Sequence, residues 1–257
     1  MRDKRALEGF LSRDRIAACY ALCDLDEPYW SQSLWHTALD GEGRIEALAL
    51  EFTAYDPPAL LTFGSAAGVA ELVSSDAKLP RSHYVHMLLP HEEAMRSIYE
   101  YERLKLMRRM ALVESDFRPA ECEGIVRLGS GDVGEMIELY RHYPGHFFQP
   151  SQLEMGVYYG VRSAGMLVAV SGTHVITESQ GLAALGNIVT QPDFRGRGLA
   201  KAATSAVCRE LFSAVDLVCL NVADDNAPGI AAYEAIGFRT HSHYLEGLGQ
   251  ARQKAGG

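Results

Sequence analysis

Thr190–Ala202 reads TQPDFRGRGLAKA, with a proline, two arginines and two glycines directly ahead of a segment with helical spacing. Gly196 and Gly198 carry no side chain where a backbone must be approached closely, and a helix start offers N–H groups that no earlier carbonyl can satisfy. The peptide dipoles favour negative charge at that end, and Arg195, Arg197 and Lys201 gather positive charge at the same point. The stretch reads as an anion-binding turn suited to a phosphate or pyrophosphate. The plainer alternative is a glycine turn with solvated arginines. Two familiar phosphate loops fail on spacing. A Walker loop needs a lysine and a Ser or Thr directly after its last glycine, whereas GRGLAKA places its lysine three residues on with no hydroxyl behind it. A Rossmann fingerprint needs a third glycine where Lys201 stands, and the next strand, LVCLNV, ends without an acidic residue for a ribose.

Outward from the turn, GLAALGNIVT precedes it as a strand and GLAKAATSAVCRELFSAV follows as a helix, with Leu199, Ala202, Ala203, Ala206 and Val207 on one face. LVCLNV is a short, nearly continuous apolar run, as in a strand covered on both faces. The helix PGIAAYEAIG and a strand pair from Phe238 close the chain. Upstream come a strand IVRLG, a helix opening at Ser130 or Asp132, a loop PGHFFQPSQ, and the strands GVYYGVR and GMLVAVSGTHVI joined by the Ser163-Ala164-Gly165 turn. Antiparallel strands followed by a strand-helix-strand crossover imply a mixed, mostly antiparallel sheet flanked by helices. The first half is also α/β. A helix is expected over 13–25, strands over 44–55 and 59–64, a helix in GSAAGVAELVSS, a strand over 81–89, a helix HEEAMRSIYEYE and a strand KLMRRMALV. The polar segment 114–124 contains Pro119, so the chain is expected to divide into a smaller domain at 1–122 and a second at 123–257.

Composition limits the partners. With 257 residues, 47% hydrophobic and 22% charged, the chain can bury a substantial core. A net charge of -9 excludes a surface that is nucleic-acid footprint throughout, so any anion site is local. No apolar run approaches the roughly 18 residues of a membrane span, and MRDKRALEGF lacks the apolar region of a signal peptide. A cytoplasmic protein without nucleic-acid or membrane partners is expected. Five cysteines argue against a disulfide framework. Cys19 and Cys23 lie one helical turn apart, but nothing nearby completes a metal site. His83 and His86 are expected on opposite strand faces and, like His241 and His243, lack a third ligand, so no metal is expected.

Arg195-Gly196-Arg197-Gly198-Leu199-Ala200 matches the pattern Arg/Gln-x-x-Gly-x-Gly/Ala and resembles the acyl-CoA signature of the GNAT N-acyltransferase superfamily. The strand ahead of the turn and Pro192 match the family context. A second family motif, Asn-x-x-small-Ile-x-x-Tyr-x-x-x-Gly-Phe, is similar to Asn226 through Gly229, Ile230, Tyr233 and Gly237 to Phe238. Gly229 departs from the family's usual alanine, small for small, and leaves room for the cofactor. The GNIVT…RGRGLA and CLNV…N patterns resemble the branch containing glycine N-acyltransferase-like proteins. The likeness covers roughly 123–257. FGSAAGVAEL stands where the first half would carry the Arg-Gly turn and has no basic residue, which suggests a degenerate GNAT-like copy. The bland alternative is an unrelated α/β domain.

The resemblance implies a transferase, an N-acetyltransferase that uses acetyl-CoA (acyl-CoA) as co-substrate. Ile188, Val189 and Thr190 would bind the pantetheine arm by main chain, where their strand splays from LVCLNV. Residues 195–201, including Ala200, would hold the pyrophosphate, and Asn226 and Gly229 would lie at the cofactor. Tyr233 matches the family tyrosine beside the CoA sulfur. With an ordinary pKa of about 10 it can protonate a thiolate of pKa about 8.5. His174 is a candidate base for the amine, with Glu178 a weaker one. Asn187, Gln191 and Asn221 stand near strand ends where an acceptor pocket would form. The acceptor is expected to be a small amine or amino acid, and the sequence is also compatible with a protein acceptor and with a homodimer. A non-catalytic acyl-CoA-binding or sensing protein and a nucleotide-binding regulator are the competing readings.

Overall fold

The computed structural model describes residues 3–75, 79–144, 146 and 148–252. Two compact units make up the chain, Met1–Arg108 with Ser242–Gly257, and Arg109–His241. This division follows packing, whereas the expected boundary at 122/123 followed composition. The two divisions differ because Lys105–Val113 and Arg239–Ala251 each begin in one unit and end in the other.

The first unit opens with α1 (Lys4–Leu11) and the short α2 (Cys19–Cys23). Strands β1 (Ser33–Leu39), β2 (Ile45–Phe52) and β3 (Ala59–Gly64) follow, then α3 (Ala66–Ser74), β4 (Ser82–Leu88), α4 (Glu92–Ile98), β5 (Tyr99–Tyr101) and β6 (Lys105–Val113). β1, β2 and β3 pair antiparallel, and β3 pairs parallel with β4 from Ala59 with Tyr84 to Thr62 with Met87. The crossover helix α3 buries Val69 and Leu72 against Ala47, Ala49, Leu60 and Val85.

The second unit contains β7 (Ile125–Arg127), α5 (Val133–Tyr140), α6 (Pro150–Met155), β8 (Tyr158–Ser163), β9 (Met166–Thr177), β10 (Leu182–Thr190), α7 (Leu199–Leu211), β11 (Leu217–Ala223) and α8 (Ala227–Ile236). The last strand, β12 (Arg239–Ala251), then returns to the first unit, where it pairs with β4. β7 to β10 pair antiparallel in order, and β10 pairs parallel with β11. Both units therefore run antiparallel strands, then strand, helix, parallel strand, helix. The expected mixed, mostly antiparallel α/β fold is the one observed. α7 meets the sheet with Ala202, Ala203, Ala206 and Val207, small side chains that let a helix lie close to strands.

Local expectations differ in five places. The helix expected over 13–25 is helical only at Cys19–Cys23, after a 3-10 turn at Ser12–Asp14. HEEAMRSIYEYE stops being helical at Ile98, and Tyr99 and Tyr101 turn into the core as strand residues. β1 was not foreseen, because SLWHTAL alternates imperfectly. The expected strand pair after Phe238 is one 13-residue strand. In the loop PGHFFQPSQ, Gly145 and Phe147 lie outside the described residues, and Pro150–Met155 is helical. No helix among the described residues is long and apolar enough to cross a membrane.

Candidate functional site

β10 and β11 are in register from Leu182 with Leu217 to Leu185 with Leu220, and there the parallel register ends. β10 continues to Thr190 and β11 to Ala223. Two parallel strands that stop pairing while both run on form a fork with free main-chain groups on its inner edges. The cause lies on the other edge of β10. Gly186 pairs with Gly172 and Val189 with Val170, so β10 carries one extra residue there, and Asn187 adopts φ 54°. Such a bulge bends its strand and re-aims the side chains beyond it. Ile188 then packs against the core that holds Tyr233, while Val189 is buried on the α5 and α6 side.

A polar network holds Asn187 in this strained conformation. Its amide donates to Gln152 Oε1 at 3.0 Å and to the Tyr158 hydroxyl at 2.9 Å, and its carbonyl accepts from the Tyr140 hydroxyl at 2.7 Å. Tyr158 in turn donates to the Thr173 carbonyl at 2.8 Å. The glycine pair beneath is required by packing. A Cβ on Gly172 would lie 2.0 Å from the Tyr158 ring, and one on Gly186 would lie 2.0 Å from His174 Nε2. His174 is itself the extra residue of a bulge in β9, between Thr173 and Val175. Asn187 thus shapes the strand, and the His174 ring of β9 lies against Gly186, the residue before the bend.

Thr190 accepts a hydrogen bond from the Tyr143 hydroxyl, which accepts one from Arg195 Nη2 at 2.9 Å. Gln191 N donates to the Val168 carbonyl at 2.8 Å, and Pro192–Phe194 forms one 3-10 turn. Gly196 and Gly198 follow with φ 76° and 75°, left-handed values that a side chain resists. A Cβ on Gly196 would meet nothing within 4 Å, and one on Gly198 only the Lys201 Cε at 3.8 Å. These glycines therefore line open space. Gly198 is the N-cap of α7 and provides no side-chain cap. Arg197 lies 4.8 Å over the Phe194 ring and donates to the Asp193 carbonyl at 3.1 Å. Leu199, Ala200 and Lys201 form the first turn of α7, half-buried.

The second motif divides into caps and core. Asn226 is exposed, caps α8 and accepts from Gly229 N at 3.1 Å, and a Cβ on Gly229 would press within 2.6 Å of the Asn226 side chain. Gly237 ends α8 at φ 115°, where its N–H and that of Phe238 both reach the Tyr233 carbonyl. Ile230, Tyr233, Ile236 and Phe238 are buried with Leu185, Leu220 and Val222, residues from both arms of the fork. The Tyr233 hydroxyl bonds to no described residue, and burial raises its pKa above the ordinary tyrosine value. Asn221 is the first residue of β11 past the paired register. Glu178 lies in the exposed turn after β9.

Tyr140, Tyr143, Gln152, Tyr158, Gly172 and Gly186 are the supporting residues that sequence spacing did not reveal. His83 is buried and meets the Tyr101 hydroxyl at 3.0 Å, while His86 pairs with Glu246 at 3.2 Å. Among the described residues, no group of three or more His, Cys, Asp and Glu is placed to hold a metal ion.

Residues 158–245 match the family model described as FR47-like protein. No match was found among curated proteins. Similar solved structures span nearly the whole chain. A GNAT-family protein from Novosphingobium aromaticivorans is 24% identical with a TM-score of 0.60, covering 85% of this chain and 92% of its own. A GCN5-related N-acetyltransferase from Kribbella flavida is 16% identical at TM-score 0.64, covering 94% and 96%. A tandem GNAT protein from the clavulanic acid biosynthesis pathway is 15% identical at TM-score 0.60, covering 98% and 97%. The chain carries the GNAT fold.

Proposed function

We propose that this chain is an N-acyltransferase that moves an acetyl or other short acyl group from acyl-CoA to a primary amine, by direct attack within a ternary complex. The observation that carries it is the pairing of an uncapped helix start, opening at two side-chain-free residues, with a fork in the strand that leads to it. Residues 196–201 would bind the pyrophosphate by backbone N–H groups, with Arg195, Arg197 and Lys201 supplying charge. Ile188, Val189 and Thr190 would hydrogen-bond the pantetheine arm, and one of their N–H groups would polarise the acyl carbonyl. Acyl-CoA, when bound, supplies the activated thioester.

Tyr233 donates its proton to the departing sulfur. Its ring is fixed by packing and its hydroxyl is uncommitted. His174 takes the proton of the attacking amine, directly or through water, and Asn221 and Gln191 face the acceptor. The domain boundary that matters chemically is the one around residues 123–241, which contains all of these groups.

The test is a thermal-shift screen of amines and amino acids with acetyl-CoA, followed by assay of free thiol. Acceptor-dependent thiol release supports transfer. Binding of acetyl-CoA with only background hydrolysis would replace it with a non-catalytic acyl-CoA-binding role.

A further inference from the structure

Arg195 is held in place without being neutralised. Its Nη2 donates to the Tyr143 hydroxyl at 2.9 Å, and its guanidinium carbon lies 5.5 Å from the centre of the Tyr143 ring. Both partners are uncharged, and Arg195 makes no ion pair with a described residue. Arg127, Arg162 and Arg209 of the same unit, by contrast, lie against carboxylates. A guanidinium has five N–H donors, so one bond to a hydroxyl leaves its charge and most of its donors unspent. The Tyr143 ring that holds it is half-buried against the core containing Leu139, Phe148 and Val189. The same hydroxyl donates to the Thr190 carbonyl. That carbonyl faces the fork. Gln191 N donates to the Val168 carbonyl at 2.8 Å, continuing the register that pairs Val189 with Val170 and Thr190 with Ala169. Hydrogen-bonded and non-bonded pairs alternate along antiparallel strands, so the main-chain groups of Thr190 point away from β9, to the edge that parts from β11.

We infer that Tyr143 is a positioning residue for acyl-CoA. Anchored on the core, it fixes the Arg195 guanidinium at the start of the glycine turn and ties it to Thr190, the end of the strand that would take the pantetheine arm. The inference rests on the binding of acyl-CoA proposed above. A free arginine side chain gives up its rotamers when it meets an anion, whereas one already fixed gives up fewer, so the anchor adds affinity. Donation to Thr190 also polarises the hydroxyl, which makes its oxygen a stronger acceptor for Arg195. Arg197 has no such anchor, since its partners, Phe194 and the Asp193 carbonyl, belong to its own turn. Arg195 should therefore contribute more to acyl-CoA affinity than Arg197.

A double-mutant cycle, read by calorimetric titration of acetyl-CoA into the full chain, tests it. Tyr143→Phe keeps the packed ring and removes the hydroxyl, and should weaken acetyl-CoA about fivefold. Arg195→Ala should weaken it about tenfold. The double variant should lose only about ten- to twentyfold, well short of the product of the two single losses, because the hydroxyl acts largely through the guanidinium. A tyrosine that served packing alone would lower Tm, and its loss would multiply with that of Arg195. Multiplying losses, or wild-type affinity in Tyr143→Phe, would overturn the inference while acyl-CoA binding itself stands. Failure of the wild-type chain to bind acetyl-CoA would overturn both. If Tyr143→Phe does not fold, Arg195→Lys decides the matter. It keeps the charge but loses the planar fork and the stacking on Tyr143, so about fivefold weaker binding is expected and wild-type affinity would overturn the inference.

Discussion

The connection from β3 to α3 in the first unit and the one from β10 to α7 in the second occupy the same place in the same order of elements, and they treat a helix start in opposite ways. The first is a single residue, Ser65, whose hydroxyl accepts from Gly68 N at 2.9 Å and donates to Glu46 at 2.8 Å. Cap and carboxylate together occupy the positive end of that helix. Nearby, buried His91 reaches Thr62 at 2.8 Å and the Gly64 carbonyl at 3.0 Å, so the end of β3 is also satisfied internally. A Cβ on Gly64 would fall 2.3 Å from the Glu46 carbonyl, so that glycine serves packing. The second connection runs from Gln191 to Gly198 and ends on a glycine that cannot cap and that faces open space. An element order does not by itself make an anion site. It does so only where the chain leaves the helix's own donors unspent.

The most severe way to challenge this contrast is Gly198→Val. A β-branched residue strains the φ 75° turn and fills the approach to the backbone, so affinity for acetyl-CoA should fall by at least about 100-fold by calorimetry. Wild-type affinity in that variant would remove the turn from the site. The same titration should give one acyl-CoA per chain, since α3 is capped; two equivalent sites would erase the difference between the units.

Tyr233→Phe keeps the packed ring and removes the hydroxyl. Acetyl-CoA affinity should hold while the chemical step slows by roughly 10²-fold. Because burial raises the Tyr233 pKa, its acid form persists as pH rises through the usual tyrosine range, and any alkaline loss of rate due to it should come above that range. An unchanged turnover number, measured where chemistry limits, would dismiss Tyr233 as the acid.

Ser65→Ala probes the closed helix start. Loss of the cap should cost about 1 kcal/mol, seen as a fall of roughly 2–4 °C in Tm, with no second acyl-CoA site gained. The smallest effect is expected for Arg197→Ala. Its exposed charge, already turned onto Phe194 and Asp193, should weaken acetyl-CoA about fivefold at most, and less at high salt.

The turn at 195–201 and the Asn226–Phe238 motif were legible because their physical requirements are local. Left-handed glycines, a helix start, an N-cap and a C-cap all act within a few residues. The bulge at Asn187 was not legible. Its three side-chain and main-chain partners, Tyr140, Gln152 and Tyr158, are brought to it by different elements, and no spacing in the sequence announces them. The asparagine appeared as a candidate for touching an acceptor, and the structure gives its amide to the scaffold. Gly172 and Gly186 pass for ordinary strand glycines until the rings of Tyr158 and His174 are seen lying on them.

The sequence by itself determined the mixed α/β class, the basic glycine turn and the absence of such a turn in the first half, since each depends on residue type, short spacing and charge. The tertiary structure alone decided where β10 parts from β11, how Asn187 is held at its bend, and that Tyr233 is buried with an uncommitted hydroxyl. It also decided that Asp24 is buried. These depend on residues far apart in the chain, and only packing sets the distance between them and the water left around them.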